Sequence, residues 1–247
     1  MSTEVQLIVE DDSPAFEYSP SWSLSRSDFW YNLKSWHSST ASPGILTFTF
    51  NGKSVHAFHI SLSEQHSGTS AAFIGSINAF SPMAATVQID EGTPFVIDYG
   101  ESPTISPPTY KQWFITPTLR DGSHKIVISN LLGAAVDYAV VKVGIQSSMS
   151  GQTIIVDDDS PLIQYHGLWS RNTNKFTIGV PGTDPMTGYP YGNGTHRSTN
   201  PGDSFAFRFS GKQLVSLTAP TKSFQPSLSQ EPPLQYMAYF LSMVQGY

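Results

Sequence analysis

The chain has 247 residues, of which 13% are charged, with 13 Lys and Arg against 19 Asp and Glu, a net charge of −6 and no Cys. A charged share near half the roughly 25% of an ordinary soluble domain excludes coiled coils and long helical bundles, and the lack of Cys excludes disulfide scaffolds and thiol chemistry. The acidic balance argues against a nucleic-acid partner, while 19 Gly and 18 Pro with abundant Ser and Thr point to an all-β, turn-rich protein.

In chain order, the first segment holds Glu4, Glu10, Asp11 and Asp12. It lacks the basic start and apolar run of a secretory signal peptide. The apolar-leaning stretch Leu234 to Val244 reaches about half the length of a membrane span, so no transmembrane segment is expected. After Trp22 come Phe29, Trp30, Tyr31 and Trp36, crowded before His37. Thr47 to Phe50 alternates polar and apolar residues, and Asn51-Gly52 follows as a hairpin signal with Val55 to Ile60 as the returning strand. Thr86 to Ile89, Phe95 to Tyr99, Gln112 to Thr116, Lys125 to Ser129 and Asp137 to Val143 read as further short strands. Their spacing is that of a β-sandwich. Gln146 to Gln152 is Ser/Gly-rich and reads as a linker.

The chain then repeats itself. VEDDSPAFEYSPSW, Val9 to Trp22, matches VDDDSPLIQYHGLW, Val156 to Trp169, at an offset of 147 residues. His37-Ser38-Ser39-Thr40 matches His196-Arg197-Ser198-Thr199, and Phe48, Phe50, Gly52 and Lys53 match Phe207, Phe209, Gly211 and Lys212, now at an offset of 159. Two ordered blocks with one 12-residue insertion imply a duplication. The expected organisation is a complete sandwich over residues 1–145, a linker over 146–152, a partial second sandwich over 153–212 and an atypical tail over 213–247. The tail, with Pro220, Pro226, Pro232 and Pro233, lacks the closing strands of the first copy. It reads as the product of a splicing event or gene model, or else as a genuine segment covering the open sandwich; the first is preferred.

These motifs carry a resemblance. An Asp-Ser-Pro block opens each copy, followed by Phe16 or Ile163, then Tyr and Trp; a His-x-Ser-Thr segment and a Phe-x-Phe-x-Gly segment come next. The first copy adds Leu-x-Asp-Gly-x-His and a closing Asp-Tyr-x-x-Val. The chain resembles the tandem β-sandwich ectodomains of uncharacterised basidiomycete fungal proteins, whose modules are similar to galactose-binding-like jelly rolls. The resemblance covers residues 4–144 and part of 153–212. It implies a jelly-roll-like, internally duplicated sandwich with a truncated second copy, at the cell surface or outside the cell. In that family a membrane span often follows; this sequence departs from the pattern there.

The candidate chemistry is modest. Aromatic rings on loops at the end of a rigid sandwich suit stacking on sugar rings. Trp30, Tyr31 and Trp36, with Tyr189 and Tyr191 in the enlarged second loop, are therefore the candidate ligand-binding set, and His37 and His196 join them from matched positions. Trp22 and Trp169, also matched, read as core. Asp11, Asp12, Asp158 and Asp159 are candidate Ca²⁺ ligands, since Ca²⁺ takes six to eight oxygens; the competing reading is an Asx turn before Ser-Pro. No other cofactor is implied. His56 and His59 lie three apart, so on a strand they face opposite sides. There is no G-x-S-x-G elbow, P-loop or dinucleotide fingerprint, and Gly202-Asp203-Ser204 reads as a turn. No catalytic residue is singled out. Asn193-Gly194-Thr195 fits a glycosylation acceptor pattern. The expected function is a non-catalytic binding or surface module with a glycan partner. The alternatives are a polysaccharide-acting hydrolase using edge carboxylates and a purely structural spacer.

Overall fold

The computed structural model describes residues 4–26, 34–52, 69–78, 84–100, 109–144, 152–178, 186–207, 213–217 and 237–241. The chain divides into two compact units: Met1–Ser147 with Thr177–Gly188, and Ser148–Phe176 with Tyr189–Tyr247. The strands of the first stretch are β1 (Glu4–Glu10), β2 (Phe16–Tyr18), β3 (Trp22–Arg26), β4 (Lys34–Ser38), β5 (Gly44–Asn51) and β6 (Ser70–Ile77). They are followed by β7 (Ala84–Ile89), β8 (Phe95–Asp98), β9 (Thr109–Ile115), β10 (Ser123–Leu131), β11 (Ala135–Val136) and β12 (Tyr138–Gly144). Then come β13 (Thr153–Val156), β14 (Ile163–His166), β15 (Ser170–Asn172), β16 (Phe176–Ile178), β17 (Met186–Gly188), β18 (Thr195–Arg197), β19 (Ser204–Phe207), β20 (Gln213–Leu217) and β21 (Met237–Leu241).

The first unit is a jelly-roll-like sandwich. One sheet runs β2-β5-β10-β7-β8, and the other runs β17-β9-β6-β12-β1. The period-2 pattern read from Thr47 to Phe50 is the cause of the inner face. Leu46, Phe48 and Phe50 on β5 point inward, as do Ile126, Ile128 and Leu131 on β10, while Thr47 and Thr49 do not. A bulge between Ile128 and Leu131 restores that alternation, with Asn130 in the left-handed region at φ 63°. The two sheets meet at Phe73 of β6, whose ring packs edge-on against Phe48 at 5.4 Å and Phe16 at 6.4 Å. β6 is buried along its whole length, so it is covered on both faces. Gly75 makes that possible: a Cβ there would stand 2.1 Å from the Ala135 carbonyl oxygen of β11.

β5 pairs with β10 along one edge and with β2 at Leu46, Thr47 and Phe48 on the other. The Gly52 N–H donates to the Gly122 carbonyl at 2.8 Å, and its missing Cβ leaves room for Thr69. Val55 to Ile60, with His56 and His59, lies outside the described residues, as does most of the expected linker.

The second unit is smaller. β14 pairs with β19 and β15 with β18, both antiparallel; β21 pairs in parallel with β13 and with β20. Its core is Val156 and Ile163, with Ile154, Tyr165, Phe205 and Phe207 packed around them. Among the described residues, no helix is long and apolar enough to cross a membrane.

Candidate functional site

In the first unit the chain leaves β1 and turns at once. The Ser13 N–H donates to the Glu10 carbonyl, the Phe16 N–H to the Ser13 carbonyl, and the Ala15 N–H to Ser13 Oγ. This turn, directly after β1, holds Asp11 and Asp12. The second unit repeats it: Ser160 N–H to Asp157 O, Ile163 N–H to Ser160 O, Leu162 N–H to Ser160 Oγ. There Asp157 Oδ1 also accepts the Asp159 N–H at 3.0 Å, an Asx turn. A tyrosine closes each turn. Tyr18 Oη donates to the Asp11 carbonyl at 2.9 Å, and Tyr165 Oη to the Asp158 carbonyl at 3.0 Å. Each tyrosine packs on a tryptophan, Trp22 at 5.0 Å and Trp169 at 4.9 Å. Trp22 is core, as expected. Trp169 is only partly buried, its Nε1 donating to the His166 and Ser204 carbonyls.

A second flat ring lies on each tyrosine. In the first unit it is Trp36, stacked at 4.8 Å with 13° between planes and half-buried. In the second it is His196, stacked at 4.4 Å and 18°. Strand register explains the pairing: Trp36 sits opposite Leu24, and His196 opposite Arg171. The matched positions read for His37 and His196 are therefore one residue out. His37 faces Ser23 and has Ser35 Oγ 2.6 Å from Nε2, and burial pulls its pKa below the usual histidine value. It corresponds in register to Arg197, which faces Ser170.

The acidic pairs behave differently at their two positions. Asp11 is fully buried, and no side chain among the described residues hydrogen-bonds its carboxylate. Burial pushes its pKa up to about 7 against the pull of Lys34. Asp12 is exposed and forms an ion pair with Lys34. In the second unit Asp158 is buried, with Oδ2 accepting from His196 Nδ1 at 2.7 Å. Asp159 receives Arg171, Nε at 3.1 and 2.8 Å from its two oxygens and Nη2 at 2.7 Å. The guanidinium holds the Asp159 carboxyl below the usual range. For Ca²⁺, which wants six to eight oxygens, Asp12 and Asp159 thus come already paired with a basic side chain.

The other candidates scatter. Trp30 and Tyr31 lie outside the described residues. Tyr189 is capped by the Lys175 ammonium, 4.8 Å from its ring centre. Tyr191 begins a short 3-10 turn, and burial followed by the charge of Asp157 raises its hydroxyl pKa. These two are half-buried rings of a packed loop rather than a free platform. Gly202-Asp203-Ser204 is a turn, with Gly202 at φ 94° and Asp203 Oδ2 accepting from the Leu168 N–H and Ser198 Oγ. Sequence reasoning missed Lys34 and Arg171, because neither lies at a motif spacing; only strand pairing brings them to the aspartates.

The described elements define an all-β, jelly-roll-like β-sandwich. No family model matches the sequence, and no curated protein matches it either. Among solved structures the chain is similar to an exo-β-1,3-galactanase from Phanerochaete chrysosporium, with 17% identity and a TM-score of 0.35 over 55% of this chain and 29% of that one. It is also similar to a family 35 carbohydrate-binding module from Clostridium thermocellum, with 12% identity and a TM-score of 0.36 over 54% of this chain and 96% of that one. A Podospora anserina β-(1,4)-mannanase that carries a family 35 module aligns at 11% identity and a TM-score of 0.33, over 58% of this chain and 28% of that one. The chain thus spans under a third of the galactanase's length.

Proposed function

We propose that the chain is a non-catalytic carbohydrate-binding module of a surface or extracellular protein, built from two related copies of one sandwich. The observation that carries this reading is Trp36. Its indole lies flat on Tyr18, is not fully buried, and stands on the strand that also bears Lys34, paired to Asp12. A flat apolar face suits the C–H face of a sugar, and an adjacent charged pair can exchange hydrogen bonds with its hydroxyls. The hydrolase alternative would draw on Asp11 and Asp12. The first is buried and the second is engaged by Lys34, so neither is poised as a surface acid or base.

The test is a glycan array followed by polysaccharide pull-down. The full chain is expected to retain a glycan class that Trp36→Ala loses and Lys34→Ala weakens, with near-UV circular dichroism confirming the fold of both variants. Retention unchanged in both variants, or no retention by the full chain, overturns the reading and leaves the spacer role.

A further inference from the structure

We propose that Asp158, Asp159 and His196 form a binding site for a divalent transition-metal ion of zinc-like chemistry. This goes beyond the glycan reading and does not depend on it. Each of the three residues presents one ligand atom, and these atoms all lie within 4.8 Å of one another. His196 Nδ1 is 2.7 Å from Asp158 Oδ2 and 3.8 Å from Asp159 Oδ1. A tetrahedral ion with bonds of about 2.0–2.1 Å sets its ligands roughly 3.3 Å apart. One separation must therefore open and the other close by about half an ångström, within reach of side-chain adjustment.

The ligands are held in advance. His196 is clamped flat against Tyr165, and the Tyr165 hydroxyl fixes the Asp158 carbonyl. Asp158 is 2% exposed, and its Oδ1 has no hydrogen-bond partner among the described residues. A buried carboxylate with a bare oxygen is costly unless a cation approaches. Asp157, Asp158 and Asp159 stand in sequence, and Arg171 is the cation that meets Asp159. Its side chain is 40% exposed and can swing into solvent, releasing Asp159. A metal ion at His196 Nδ1 needs the ring in its neutral form with the single N–H at Nε2, because imidazole ligates through an unprotonated nitrogen.

The nitrogen donor decides the class of ion. Imidazole with carboxylate suits Zn²⁺, Co²⁺, Ni²⁺ or Cu²⁺, whereas Ca²⁺ prefers oxygen alone. The first unit supplies the internal contrast. Trp36 occupies the register position of His196, so among the described residues no imidazole takes that place beside Asp11 and Asp12.

The experiment titrates the full chain with Co²⁺ and reads its visible d–d absorption, then displaces it with Zn²⁺. A low-coordinate absorption band is expected, insensitive to excess Ca²⁺. His196→Ala and Asp159→Asn should each weaken Co²⁺ binding by about tenfold or more, and Arg171→Ala should tighten it several-fold. Asp159 is exposed, so its variant keeps the test valid should His196→Ala fail to fold. Displacement of Co²⁺ by Ca²⁺, an unchanged spectrum in both ligand variants, or no absorption up to about 1 mM Co²⁺ would each overturn the assignment.

Discussion

Asp11→Asn should make the first unit more stable at neutral pH and leave it nearly unchanged in acid. The Asp11 carboxyl is fully buried with no side-chain hydrogen-bond partner among the described residues, and burial raises its pKa to about 7 from 3.8. Between those two values the folded chain keeps a proton that the unfolded chain has released. The unfolded state therefore binds fewer protons, and stability falls as pH rises through that window. Each tenfold change in proton affinity is worth about 1.36 kcal/mol, so full expression of the difference approaches about 4 kcal/mol, and water entry around the site brings the expected gain to about 2–4 kcal/mol above pH 7. Asparagine is the closest match to the protonated acid, so the two proteins should converge near pH 4. The assay is urea unfolding at several pH values from 4 to 8. Tryptophan fluorescence is a suitable probe because Trp22, Trp30, Trp36 and Trp113 belong to the first unit and only Trp169 to the second. A variant no more stable than the parent at pH 8, or a difference that does not change with pH, would refute the reasoning.

Two further substitutions test the frame around the site. Gly75→Ala puts a methyl group 2.1 Å from the Ala135 carbonyl oxygen, and both partners are backbone, so the sheet must shift; a loss of about 3 kcal/mol or more in urea unfolding is expected. Tyr18→Phe removes the hydroxyl that donates to the Asp11 carbonyl while keeping the ring stack on Trp36, and should cost about 1 kcal/mol in the same assay.

The sandwich was legible because its cause is local. Alternation over Thr47 to Phe50 and Lys125 to Ser129 marks inward and outward residues directly, and both segments lie within strands of that register. The partners of β5 are not legible in the same way: which strands flank it is a matter of long-range topology, as is the close approach of Gly52 to Thr69. The site was legible only in part. The Asp-Ser-Pro turn, the tyrosine and the tryptophan lie within a continuous block, so their repetition is visible as text. The fourth member arrives from a strand beyond an insertion. Matching by residue name pairs His37 with His196, whereas backbone register pairs Trp36 with His196.

In that register, the charged partner of the second aspartate changes strand between the two units. In the first, the cation for Asp12 comes from Lys34 on β4, and Leu24 stands on β3. In the second, the cation for Asp159 comes from Arg171 on β15, the position of Leu24, and Gly194, the residue just before β18, falls where Lys34 would by extending the register. Gly194 has extended backbone at φ −161°, so its glycine is not required by conformation. A Cβ there would lie 2.6 Å from Arg171 Nη2 and 2.7 Å from its central guanidinium carbon, so a side chain at this position would displace the guanidinium from where it meets Asp159. The charge on the second aspartate is thus met in both units, from opposite strands of the corresponding antiparallel pair, and the residue that gives up the charge also gives up its side chain. A surface ion pair is worth little as stabilisation, so stability alone does not account for meeting it twice by different routes. What both arrangements preserve is a fixed carboxylate beside a ring stacked on tyrosine. What they change is the ring, indole in one unit and imidazole in the other, and with it the chemistry each unit can offer a ligand.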